Sequence, residues 1–151
     1  MHSGQGLAIV KALAESSGML HRQRETLQRG NMMTETADAQ AIVEIGERYY
    51  QAMVAGNEAA LRALFDARAP IIGYYQGQLL WLSLQDFIDE ATSLVGQHGP
   101  ERCQVETHRI DGDIGFVAVA GQYAQAWLID HLLLSRGSDG WKILSKTFHV
   151  T

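Results

Sequence analysis

Two turn signals in the last third of the chain constrain its fold more than any other feature. Asp111-Gly112-Asp113 separates Arg102–Ile110 from Ile114–Tyr123, and Gly137-Ser138-Asp139-Gly140 separates Trp127–Arg136 from Trp141–Val150. The four flanking segments are strand-length, and Gly with Asp or Ser between them supplies the backbone freedom of tight hairpins. A third hairpin is predicted earlier, from Ile71–Tyr75 and Gln78–Leu82 about Gln76-Gly77. Sequential hairpins commit the chain to an antiparallel or mixed curved sheet. Helical patterns elsewhere then define an α+β domain with helices on one sheet face.

Three helices are expected in the body. Asp38 is placed to cap a helix running to Ala55 and stopped by Gly56, with Ile42, Ile45, Tyr49, Ala52 and Met53 on one face. Asn57 caps a short second helix that turns Leu61, Leu64 and Phe65 inward before Pro70 stops it. Ser83 and Asp86 form a capping-box pattern opening a third helix striped by Leu84, Phe87, Ile88, Ala91, Leu94 and Val95. Gly96, Gly99 and Pro100 end it. Residues 1–33 read as an N-terminal helical extension and residues 34–151 as the domain. In the extension Leu7, Val10, Leu13, Leu20 and Leu27 recur at helical spacing, punctuated by Gly18 and Gly30. It is either an accessory helix for the body or a partner subunit, or sequence ahead of a natural start at Met32 or Met33.

With 46% hydrophobic and 19% charged residues in 151, the chain can bury a core, which excludes a disordered or repetitive protein. The net charge of −5 and the lack of a basic, aromatic-interleaved patch argue against nucleic acid. The extension is slightly basic, with Lys11, Arg22, Arg24 and Arg29 against Glu15 and Glu25, so the acidic excess lies in the body. No apolar run reaches the length of a membrane span, and no signal-peptide pattern opens the chain. Cys103 stands alone, so no internal disulfide forms and a cytoplasmic location is expected; its ordinary role is that of a small buried or half-buried apolar residue. His98, His108, His131 and His149 lack metal-ligand spacing, and no cofactor fingerprint is present, so neither a metal nor a cofactor is expected.

A four-residue loop in the last hairpin predicts a register. Arg136 would face Trp141, Leu134 Ile143, Leu132 Ser145, Asp130 Thr147 and Leu128 His149, all on one face. The other face would carry Ile129, His131, Leu133, Leu144, Lys146 and Phe148. In this register Asp130 and His149 could form an acid–base pair, the carboxylate orienting the imidazole. A purely structural hydrogen bond is the plainer alternative. A slip of one residue would separate them.

The run Glu47-Arg48-Tyr49-Tyr50-Gln51-Ala52-Met53-Val54-Ala55-Gly56-Asn57 and the following Leu61-Arg62-Ala63-Leu64-Phe65 resemble the start of the nuclear transport factor two-like superfamily. Gly73-Tyr74-Tyr75-Gln76-Gly77-Gln78-Leu79-Leu80-Trp81-Leu82, Ile110-Asp111-Gly112-Asp113, Asp130-His131-Leu132-Leu133-Leu134 and the ending Gly140–His149 resemble its SnoaL-like, "putative lumazine-binding" group. The resemblance spans roughly residues 38–150. It implies a cone-like, cystatin-like sheet wrapped around three helices, a pocket at the open end, and a homodimer formed through the sheet. Superfamily members include polyketide cyclases, ketosteroid isomerases, scytalone dehydratases and non-catalytic modules, so the fold does not select a reaction. Against the isomerases, Tyr49 matches the oxyanion-hole tyrosine, whereas Gly73 stands where their general-base aspartate falls.

Three functions follow as expectations. The first is a small-molecule-binding domain whose pocket takes a small organic ligand, with Tyr49, Tyr75, Trp81, Asp130, Thr147 and His149 as its wall. The second is a cofactor-independent cyclase, isomerase or dehydratase in which Asp130 and His149 move a proton and Tyr49 steadies an oxyanion. The third is a dimeric interaction module. None calls for nucleic acid or membrane.

Overall fold

The computed structural model describes residues 3–151, and side chains from residue 14 onward. It divides into two compact units, Met1–Ala37 and Asp38–Thr151. One helix, α1 (Ser3–Val54), enters both. It runs through Gly18 and Gly30 without a break, contrary to the expected punctuation. A glycine costs a helix only about 1 kcal/mol, which helix-forming neighbours outweigh. The side chains of Leu7, Val10 and Leu13 in the expected stripe lie outside the described residues, and Leu20 and Leu27 are exposed.

Asp38 is therefore not a helix cap. Its carboxylate instead accepts from the Arg136 guanidinium and, at 3.3 Å, from the Trp141 indole N–H. That ties α1 to the turn end of the last hairpin. After α1, α2 (Glu58–Leu64) opens on Asn57, whose side chain accepts from the Ala60 N–H. Gly56, at φ +57°, makes the reversal between them. β1 (Ile71–Tyr75) and β2 (Gln78–Leu82) form the first hairpin, and α3 (Leu84–Ser93) opens on the Ser83–Asp86 capping box. β3 (Cys103–Asp111), β4 (Ile114–Tyr123), β5 (Ala126–Gly137) and β6 (Gly140–Val150) complete the second unit.

The described residues form one six-stranded sheet, ordered β2-β1-β6-β5-β4-β3. Only β1 and β6 pair in parallel, which makes the curved open sheet mixed. Its inner face, with Val117, Val119, Leu132, Leu134 and Ile143, packs into one core with Ile42, Ile45, Tyr49 and Met53 of α1, Leu61 of α2 and Phe87 and Ile88 of α3.

The expected register of the last hairpin holds only near its turn, at Arg136↔Trp141 and Leu134↔Ile143. A bulge leaves Leu144 unpaired, and the pairs then become Leu133↔Ser145, Leu132↔Lys146, His131↔Thr147, Asp130↔Phe148, Ile129↔His149 and Leu128↔Val150. The bulge lies where β6 changes neighbours. The Ile143 carbonyl accepts from the Asp66 N–H at 2.8 Å, whereas from Lys146 onward the strand pairs with β1. One extra residue turns every later side chain to the other face. Lys146 and Phe148, expected outside, face the core; Thr147 and His149, expected inside, are exposed.

Candidate functional site

The inward faces of β5, β6 and α1 bring three polar side chains into the core. Asp130 and Lys146 are 2% and 3% exposed, and Tyr49 is fully buried. The Tyr49 hydroxyl donates to Asp130 Oδ2 at 2.6 Å and lies 3.1 Å from the Met53 sulfur. Lys146 Nζ stands 3.8 Å from the same carboxylate oxygen and 4.0 Å from the centre of the Phe87 ring. Asp130 Oδ1 is buried without a hydrogen-bond partner among the described residues. Burial, reinforced by the negative Asp130, pushes the Tyr49 phenol well above its ordinary value. Burial lowers Lys146, against the raising influence of Asp130 and Glu90.

A cavity of about 340 Å³ opens in front of this cluster. Ile71, Leu82, Phe87, Leu128 and Phe148 are among its walls; Lys146 lies on its lining, and Glu90 and Tyr123 bring polar atoms to it. The Tyr123 hydroxyl donates to Glu90 Oε2 at 3.2 Å, and burial raises its pKa. A largely apolar chamber with one ammonium can hold an organic molecule and orient it by one polar contact.

The structure divides the six expected wall residues. Tyr75 lines the cavity. Tyr49 and Asp130 lie behind it, bonded to each other and adjoining Lys146. Trp81 is 70% exposed on β2 and away from the cavity lining. Thr147 and His149 are on the opposite sheet face, so Asp130 and His149 form no acid–base pair. Nor is the Tyr49 hydroxyl free for an oxyanion, since it is committed to Asp130. Lys146 is the residue that sequence reasoning missed. The available signal was a lysine in an otherwise inward strand position, hidden by the bulge.

Cys103 is exposed at the start of β3, not buried or half-buried as expected. Loss of hydration around the sulfur and the charge of Glu47 push its thiol up to about 11, which disfavours the nucleophilic thiolate. Among the described residues, no cluster of His, Cys, Asp and Glu could hold a metal, and no helix is long and apolar enough to cross a membrane.

A mixed sheet folded over three helices, with a chamber between sheet and helix, defines a nuclear transport factor two-like (NTF2-like) domain. Residues 37–149 match the family described as "putative lumazine-binding", and the chain belongs to that family. No curated protein matches it. Among solved structures, an NTF2-like protein of unknown function from Silicibacter pomeroyi superposes with a TM-score of 0.73 at 26% identity, over 78% of this chain and 98% of that one. Another from Methylobacillus flagellatus gives 0.68 at 24%, over 76% and 93%. A protein described as a "putative ketosteroid isomerase" from Shewanella frigidimarina gives 0.53 at 22%, over 70% and 92%. The latter two likenesses show the fold alone.

Proposed function

We propose that this protein is a small-molecule-binding domain whose cavity takes one partly aromatic or apolar organic molecule. The observation that carries this is the chamber of about 340 Å³, apolar on most sides and supplied with a buried ammonium. Its size suits a compound of two or three fused rings, and its wall combines Tyr75, Phe87 and Phe148 with aliphatic side chains. The Tyr49–Asp130 hydrogen bond fixes the counter-charge beside Lys146, so in this reading these two residues position the site from behind. A thermal-shift screen of ketones, polyketide-like aromatics and pterins, with native mass spectrometry of the hits, tests it. A ligand bound only by the folded state must raise the midpoint; a screen in which no compound does so counts against the reading.

The same reading includes a homodimer through the outer sheet face. Ile114, Leu133 and Leu144 are 60%, 51% and 38% exposed there, and they border a hollow with Phe116. Apolar side chains gathered on one face support association more than scattered ones do.

A further inference from the structure

Lys146 has three N–H donors on an ammonium that is almost sealed from solvent. Among the described residues, its one hydrogen-bond acceptor is the weak thioether sulfur of Met53 at 3.8 Å. The nearest carboxylate oxygen, Asp130 Oδ2, is also 3.8 Å away, too far for a hydrogen bond, and already accepts the Tyr49 hydroxyl. The remaining neighbours are aromatic faces: Phe87 at 4.0 Å, Tyr49 at 5.3 Å and Phe148 at 5.7 Å. A buried donor with so little oxygen around it faces directly onto the cavity.

The surrounding charges select what can meet it. Asp130 stands behind the ammonium, and Glu90 lies at the cavity edge on α3. An anionic ligand would approach two carboxylates to reach one lysine. A cationic ligand would meet the lysine itself. A neutral oxygen acceptor meets neither repulsion and supplies the bond that the ammonium lacks.

We propose that Lys146 is the polar anchor of the cavity, donating to the carbonyl oxygen of an uncharged, flat, largely apolar ligand such as a ketone, quinone or ring amide. This rests on the cavity being the ligand site. The acceptor oxygen lies against Lys146, and the hydrocarbon body lies along Phe87, Phe148 and Leu128. The lowered pKa of Lys146 agrees, because it reports an ammonium short of hydration that an acceptor would restore.

Three probes of one skeleton test the proposal: 1-indanone, indane and indane-2-carboxylate, titrated into the full chain by calorimetry. The expected result is that 1-indanone binds roughly ten-fold or more tightly than indane, the gain of one charge-assisted hydrogen bond. The carboxylate should bind more weakly than the ketone, and the C=O stretch of bound 1-indanone should move to lower wavenumber. In Lys146→Met, ketone and hydrocarbon should bind alike and the stretch should return toward its value in an apolar solvent. Equal binding of indanone and indane to the wild type, or an unshifted band, overturns the role of Lys146 and leaves the pocket standing. Tighter binding of the carboxylate overturns the choice of a neutral ligand. Failure of all three to bind overturns the pocket reading and this inference with it. If Lys146→Met does not fold, the wild-type affinities and the carbonyl band decide alone.

Discussion

At position 73 a side chain would have nowhere to go. A Cβ there would lie 2.4 Å from the Phe148 carbonyl oxygen and 2.5 Å from its ring, because β1 and β6 run parallel with Gly73 opposite Phe148. This is a steric need rather than one of backbone freedom, since Phe148 fills the space that a side chain at this position would take. Gly73→Ala is expected to lose roughly 1–3 kcal/mol, the usual cost of overpacking, measured by urea unfolding. An unchanged midpoint would mean that β1 and β6 separate without cost. The Tyr49 hydroxyl can be weighed in the same way. Tyr49→Phe removes the 2.6 Å bond to Asp130 and leaves that carboxylate with neither oxygen hydrogen-bonded. A loss of about 1.5–3 kcal/mol is expected, as for a hydrogen bond to a charged group. A loss below about 0.5 kcal/mol would show that water replaces the hydroxyl.

Most elements were legible because their ends are written in local chemistry. Asn57, the Ser83–Asp86 box and the turns at Gln76-Gly77, Asp111-Gly112-Asp113 and Gly137–Gly140 each act within a few residues. The bulge at Leu144 is different, because it sits where the Ile143 carbonyl accepts from the Asp66 N–H, a contact remote in sequence. Local alternation therefore places Tyr49 and Asp130 inward, as in the structure, but puts Thr147, His149 and Lys146, all beyond the bulge, on the wrong face. The turn at Ala124-Gln125 also lacked a local signal. Both residues have positive φ, +50° and +66°, without being glycine or asparagine. Remote contacts hold it: the Ala124 N–H donates to His98 Nδ1 at 3.0 Å, and Gln125 Nε2 donates to the Gln97 carbonyl. His98 is buried and stacked on Tyr123, and burial lowers its pKa from the ordinary 6.5. Protonation would also turn Nδ1 from acceptor to donor, facing an N–H. The unfolded chain therefore takes up this proton first as pH falls. The stability contributed by neutral His98 is full above about 6.5 and is lost as pH falls through the depressed folded value. Chemical denaturation from pH 7.5 to 5 should show this decline, and His98→Asn should flatten it. A variant with the wild-type slope would remove His98 from the account.

At the scale of the molecule, the bulge turns Lys146 inward and leaves Leu144 on the outer face, where alternation from Ile143 already places it. On the outer face, Phe116 and Leu133 are paired across β4 and β5, Leu133 faces Ser145 of β6, and Ile114 extends the patch toward the β3–β4 turn. His131 sets its ring edge-on to Phe116 at 5.1 Å, giving the patch a polar margin. Water gains by losing contact with such a surface, at about 25 cal/mol for each Å² of apolar area covered. A second copy of the chain offers the same patch, so a two-fold contact is self-complementary and closed. Leu133→Asp tests the dimer without disturbing the core, because the side chain is half exposed. Two charges brought together across the axis would oppose association, while the isolated fold should lose little. Sedimentation equilibrium is expected to show a dimer for the wild type and a monomer for Leu133→Asp, with matching circular dichroism. A wild-type chain that remains monomeric at high micromolar concentration would rule out this contact, and a variant that stays dimeric would move the interface to another face.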